Sequence, residues 1–63
     1  MRKEIILGGL YVNPDMGYFV RVVRPHFSDF EVETFDLDEN GNEVNKDYVI
    51  MSAHDIRKCD FLY

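Results

Sequence analysis

The stretch YFVRVVRPHFSDFEVETFDLDENGNEV, residues 18–44, decides the fold class. Apolar side chains return at every second position in two short runs. In residues 18–24, Tyr18, Val20 and Val22 share one face and Phe19, Arg21 and Val23 the other. In residues 30–35, Phe30, Val32 and Thr34 stand opposite Glu31, Glu33 and Phe35. A period of two is that of a half-buried strand, because successive side chains point to opposite faces of a sheet. Arg21 marks the wetter face of the first strand, and the two glutamates mark the solvent face of the second. Pro25 has no N–H to give to a ladder and is expected to end the first strand, leaving residues 26–29 as a short loop. Asn40-Gly41 then signals a hairpin, since both residues tolerate left-handed φ, and the returning strand ends in residues 48–51.

The same grammar extends in both directions. Residues 4–12 set Ile6, Leu10 and Val12 against Ile5, Leu7 and Tyr11, with Gly8-Gly9 placed for a bulge or a close backbone approach, which predicts a bent first strand. Asn13-Pro14-Asp15-Met16-Gly17 supplies a turn: proline presets φ, Asx side chains bond locally and Gly17 accepts positive φ. Downstream, Ser52-Ala53-His54-Asp55 fits a helix cap in which the serine oxygen accepts an orphan amide. One helical turn follows and drops Ile56 into the core. Residues 58–63 alternate again, with Cys59, Phe61 and Tyr63 opposite Lys58, Asp60 and Leu62. The whole of residues 1–63 therefore reads as one small all-β domain.

At 63 residues, a domain buries only about 60% of the surface its unfolded chain exposes, and a core of this size supplies roughly 3–5 kcal/mol. Cys59 is the only cysteine, so no disulfide forms within the chain. A lone cysteine and the absence of a secretory leader suggest a reducing, cytoplasmic setting. Met1-Arg2-Lys3 followed by Ile5, Ile6 and Leu7 has the look of a leader, but Gly8-Gly9 breaks the apolar run and no small-residue cleavage pattern follows. No stretch approaches the roughly 20 apolar residues that span a bilayer, so no membrane association is expected. With 46% hydrophobic residues the chain is too apolar for disorder despite a net charge of −5.

Five short strands, hairpin connections and one helical turn before the last strand resemble the Src-homology-3-like small barrel, the architecture of Tudor and related modules. The resemblance is one of strand layout and covers nearly the whole chain. It implies an all-β, five-stranded small barrel. Gly9-Leu10-Tyr11-Val12 is similar to the aromatic motif of proline-binding members, but the chain has no tryptophan to build their ligand groove, so proline-rich peptides are not implied. An oligonucleotide-binding-type barrel is the second choice of fold, and it needs more residues and a longer helix.

Charge is the sharpest functional feature. Residues 29–47 hold eight acids, Asp29, Glu31, Glu33, Asp36, Asp38, Glu39, Glu43 and Asp47, against Lys46 alone, a net of seven negative charges. The remaining residues carry four acids against six bases, a net of +2. An acidic hairpin on a dipolar molecule can steer a basic partner, and it can equally serve to keep an edge strand soluble. The expected function is a non-catalytic interaction module that meets a basic protein surface through Glu31, Glu33, Asp36, Asp38, Glu39 and Glu43, with Tyr18 or Phe19 as an aromatic anchor. The competing reading is an acidic nucleic-acid mimic that inhibits a DNA- or RNA-binding protein, as phage-type accessory proteins do. Direct nucleic-acid binding is not expected, because the acidic balance opposes counterion release by clustered Lys and Arg. Phe19, Val23 and Phe27, if they face outward, offer a patch for homodimerisation.

The same segment also sets Asp36, Asp38, Asn40, Gly41 and Asp47 at positions one, three, five, six and twelve of a calcium-loop pattern. Asp47 is shorter than the usual bidentate glutamate, Glu43 replaces an aliphatic residue, and both flanks read as strands, so the pattern is read as an Asn-Gly hairpin with an acidic collar and a metal site at Asp36, Asp38, Asn40 and Asp47 is the weaker alternative. Neither a cofactor nor a catalytic site is expected. His26 and His54 are the only neutral-pH bases and read as surface residues. Cys59 shares its face with Phe61 and Tyr63 and reads as a buried structural thiol. Zinc would need ligand spacings that these three residues do not provide. The tyrosines Tyr11, Tyr18, Tyr48 and Tyr63 prefer a wet end, and in Tudor-like modules such rings surround methylated cations.

Overall fold

A computed structural model describes residues 4–63. Its elements run β1 (Leu10–Val12), β2 (Phe19–His26), β3 (Asp29–Leu37), β4 (Glu43–Met51), α1 (Ala53–Arg57) and β5 (Asp60–Phe61). The strands form one antiparallel five-stranded sheet in the order β4-β3-β2-β1-β5. The expected all-β class and the single helical turn before the last strand are both present. The sheet is not closed into a barrel by hydrogen bonds, so β4 and β5 are its two edges. Among the described residues no helix is long and apolar enough to cross a membrane. Arg2 and Lys3, which suggested a leader, lie outside the described residues.

Register explains the core. Tyr11 faces Val20 across β1 and β2, and Val22 faces Val32 across β2 and β3. The period-two pattern therefore collects these side chains on one face, where Ile56 and Cys59 close over them and Ile5, Tyr18, Phe30 and Met51 pack at the margin. Ile56 reaches that position because α1 begins as the cap motif predicts: Ser52 Oγ accepts the Asp55 amide at 3.1 Å. Val20, Val32 and Ile56 are wholly buried. One helical turn thus seals the inner face of the sheet.

The turns follow their residue chemistry. Asn13 Oδ1 accepts the amides of Asp15 and Met16, both at 2.9 Å, and Gly17 sits at φ 82°. In the β3–β4 loop the Asp38 carboxylate accepts the amides of Asn40 and Asn42 at 2.9 Å, and Gly41 alone takes the left-handed conformation at φ 83°. Gly9 is held close to the chain before it: a Cβ there would lie 2.8 Å from the Ile6 carbonyl, so the close approach expected of Gly8-Gly9 is real.

Several sequence expectations need correction. The first strand is confined to Leu10–Val12 because the chain turns at Gly8, φ 79°. β2 does not stop at Pro25. A register shift between Val22 and Arg24 re-phases the ladder, and Pro25 pairs with Phe30 and His26 with Asp29. Residues 26–29 are therefore a tight hairpin whose turn is Phe27-Ser28. The last strand contributes only Asp60–Phe61 to the sheet, although Leu62 N–H still donates to the Leu10 carbonyl and Leu10 N–H to that of Tyr63. Glu33, expected on the solvent face, is only 8% exposed.

Two stability measurements test this account. Ile56→Ala removes the plug from the inner face and should cost about 2–5 kcal/mol. A loss of that size approaches the total stability of so small a domain, so the urea unfolding transition should largely disappear. Phe27 holds φ 54° while 95% exposed, a conformation that disfavours a bulky side chain by about 1–2 kcal/mol. Phe27→Asn should raise the urea midpoint, and a lowered midpoint would refute strain at this turn.

Candidate functional site

The outer face of the sheet is organised around Arg21. Register sets it on β2 directly opposite Glu33 of β3. Its guanidinium donates from Nη1 to Glu33 Oε1 at 2.7 Å and from Nη2 to Glu43 Oε2 of β4, also at 2.7 Å. The same group lies over the Phe35 ring, 4.8 Å from its centroid, and Phe35 in turn stacks on Phe19 at 5.5 Å. Planar guanidinium suits this arrangement because it can fork between two carboxylates while its face rests on an aromatic ring. Beside it, Arg24 binds Glu31 at 2.9 Å, and Lys46 reaches Glu43 at 3.2 Å.

These contacts set the electrostatics. The hydrogen bond from Arg21, with help from Lys46, holds the Glu43 carboxyl down to about 2, and the same bond to Glu43 raises the Arg21 guanidinium further. The Tyr48 phenol is pushed up by its hydrogen bond to the Glu33 carboxylate. At the loop, backbone amides led by that of Asn42 lower the Asp38 carboxyl. Burial raises the Cys59 thiol, which donates to the Asp55 carbonyl at 3.7 Å and is 8% exposed.

The candidate acidic residues therefore separate into two sets. Glu31, Glu33 and Glu43 are spent on the arginines of β2, and they hold strands together. Asp38 caps its own loop. Asp36 accepts from the Asn45 side-chain amide at 3.2 Å, and Glu39 is exposed at the loop. The two aromatic candidates also part company. Phe19 joins the Phe35 stack on the outer face, whereas Tyr18 lies on the inner side and helps to line a groove.

That groove has a volume of about 250 Å³ and runs between Tyr18, Thr34, Asp36, Asn45, Val49 and Met51. It brings together Tyr18 and Asp36, two residues singled out from the sequence, and adds apolar walls from β4. Tyr18 is held there by the Asn13 side chain, whose Nδ2 donates to its hydroxyl at 3.2 Å. Thr34, Asn45, Val49 and Met51 carried no such signal in the sequence, because they meet only once β4 has folded back on β3. Asn45, at φ 57° where the ladder shifts register between Thr34 and Asp36, turns its side chain to Asp36.

For a metal, the residues of the calcium-loop pattern are differently engaged. Asp38 holds loop amides, Asp36 holds Asn45, and Asp47 Oδ1 accepts its neighbour's amide from Tyr48 at 3.0 Å. Among the described residues no group of three or more His, Cys, Asp and Glu side chains is placed to hold a metal ion. The patch formed by Phe19, Val23 and Phe27 is also dispersed: Phe19 is stacked and half-buried, while Phe27 stands alone at its hairpin tip against His26.

Acid titration tests the Arg21 network. The Glu43 carboxyl is depressed in the folded state from an ordinary value of 4.5 to about 2. Its contribution to stability is thus complete above the unfolded value and is lost as pH falls through the folded one. The urea midpoint should decline across that window, and Glu43→Gln should flatten the decline while lowering the midpoint at neutral pH. An unchanged acid slope in Glu43→Gln would remove Glu43 as its source. The chain matches no protein-family model, and comparison with curated proteins and with solved structures found no match.

Proposed function

We propose that this chain is a non-catalytic interaction module of Src-homology-3-like strand layout that binds a basic segment of a partner protein at the β3–β4 hairpin. The observation that carries this reading is the division of the carboxylates. Three glutamates meet cations within the sheet, which leaves Asp36, Glu39 and Asp47 of the hairpin exposed. Asp36 stands there in a groove whose other walls include Tyr18, Val49 and Met51, with exposed Glu39 and Asp47 on the same hairpin. A carboxylate among aromatic and aliphatic walls suits a Lys or Arg side chain, which buries its methylene stem on apolar surface and keeps its charge at a polar end. The outlying acids would speed encounter and orient the partner.

Affinity capture from the host's lysate tests the proposal, with the wild-type chain set against a chain carrying Asp36→Asn, Glu39→Gln and Asp47→Asn. These positions lie outside the Arg21 network, so the fold should be retained, as circular dichroism would verify. A basic protein held by the wild type should be lost by the variant, and its retention should weaken as salt rises. Equal capture by both chains, or binding indifferent to salt, would refute these acidic residues as the binding site.

A further inference from the structure

The chain has four side-chain amides, all of them asparagines: Asn13, Asn40, Asn42 and Asn45. Such an amide is open to attack by the main-chain nitrogen of the residue that follows it, and the fold places the four differently. Asn13 precedes Pro14, whose nitrogen has no proton to lose, and its amide donates to the Tyr18 hydroxyl at 3.2 Å. Asn45 donates to Asp36 at 3.2 Å and is followed by Lys46 within β4. Asn42 donates to Asp38 at 3.4 Å and is followed by Glu43, the first residue of that strand. Asn40 lies exposed in the β3–β4 turn, and its side-chain amide has no hydrogen-bond partner among the described residues. Gly41 follows it, with no side chain of its own and with nothing within 4 Å of where a Cβ would stand. The nucleophile beside Asn40 is therefore the least hindered of the four.

We infer that Asn40 is a site of spontaneous modification, at which asparagine converts through a succinimide to isoaspartate and aspartate at a rate held down by the Asp38 cap. The Gly41 main-chain nitrogen gives up its proton and attacks Cγ of Asn40. The N–Cγ bond forms as the Cγ–Nδ2 bond breaks, and Nδ2 leaves as ammonia, taking the equivalent of the proton that Gly41 lost. Water then opens the ring. Cleavage between the Gly41 nitrogen and Cγ gives aspartate in an ordinary chain, and cleavage between that nitrogen and the main-chain carbonyl carbon gives isoaspartate. No electrons are exchanged. Either product adds a negative charge beside Asp38 and Glu39.

The folded turn opposes the first step. Gly41 N–H donates to the Asp38 carbonyl at 3.0 Å, and the Asp38 carboxylate accepts the amides of Asn40 and Asn42, both at 2.9 Å. A nitrogen held as a donor is not available as a nucleophile, so the reaction passes through an opened turn, and exposed loops open at low free-energy cost. Removing the Asp38 carboxylate releases two amides and favours the open form. The inference goes beyond the proposed function and does not rest on it: Asn40 lines no part of the groove, and the readout is a covalent change in the isolated chain.

The test incubates the purified chain at mildly alkaline pH, folded or unfolded in guanidinium chloride. Residue 40 is followed by peptide mass spectrometry and by labelling with a protein-isoaspartate methyltransferase. Isoaspartate should accumulate there before any change at Asn42 or Asn45, faster as pH rises and faster in the unfolded chain. Asp38→Ala should speed conversion of the folded chain about fivefold, the shift in opening expected when a hydrogen bond of ordinary net strength is lost. Asp38→Asn keeps an acceptor oxygen and should stay near the wild-type rate. Asn40→Gln should lose the reaction, because attack would have to close a larger ring. Circular dichroism verifies that the variants are folded, and the comparison of folded with unfolded wild type carries the test should Asp38→Ala fail to fold. A folded chain free of isoaspartate at residue 40 long after the unfolded chain has converted would overturn the inference. Equal rates in folded wild type and folded Asp38→Ala would overturn it too, as would aspartate formed without isoaspartate, the mark of direct hydrolysis.

Discussion

Arg21 ties three strands together through one planar group. It belongs to β2, pairs with Glu33 of β3 and Glu43 of β4, and rests on the ring of Phe35. An open sheet of five strands has two faces to satisfy, and α1 covers only one. On the other face, the guanidinium and its two carboxylates form a polar cover over Phe35 and Phe19. Isolated ion pairs on a protein surface contribute little. Here Glu33 is nearly buried and Arg21 about one-third exposed, and the group is shared by two acids and a ring, which gives the network a geometry that solvent-exposed pairs lack.

That arrangement has a functional consequence. By drawing Glu33 and Glu43 inward and leaving Glu31 to Arg24, β2 removes the charge from the centre of the β3–β4 hairpin. Negative charge is left toward the loop and along the groove. The hairpin is therefore not a uniform acidic patch. Glu31, Glu33 and Glu43 meet cations within the sheet, while Asp36, Glu39 and Asp47 are exposed.

Much of the fold was legible because it depends on short-range rules. Alternation located the strands containing Val20 and Val32, and Ser52 announced the cap that buries Ile56; Cys59 is buried as expected, but just after α1 ends and not on an alternating strand, since Phe61 and Tyr63, expected on its face, are exposed. Pro25 was misleading because the rule that proline ends a ladder holds only where an N–H is required. The bulge at Val23 changes the phase of the pairing and lets the strand continue. The true turn at Phe27-Ser28 is hidden from residue statistics, since a phenylalanine in left-handed conformation contradicts them. Counting outward from that turn would have paired Arg24 with Glu31 and, after one bulged residue, Arg21 with Glu33.

The sequence by itself determined the all-β class, the faces of the central strands, the helical turn and the excess of acid in residues 29–47, because periodicity, capping and charge are properties of neighbouring residues. Tertiary structure decided which acids are available to a partner. Whether a carboxylate meets solvent or a guanidinium depends on the residue across the ladder, and a single bulge or a different turn changes that residue. It also decided that Tyr18 and Asp36 share a groove while Phe19 lies on the other face, and that β4 ends the sheet with its edge exposed, since strand order is a relation among distant segments that no local pattern encodes.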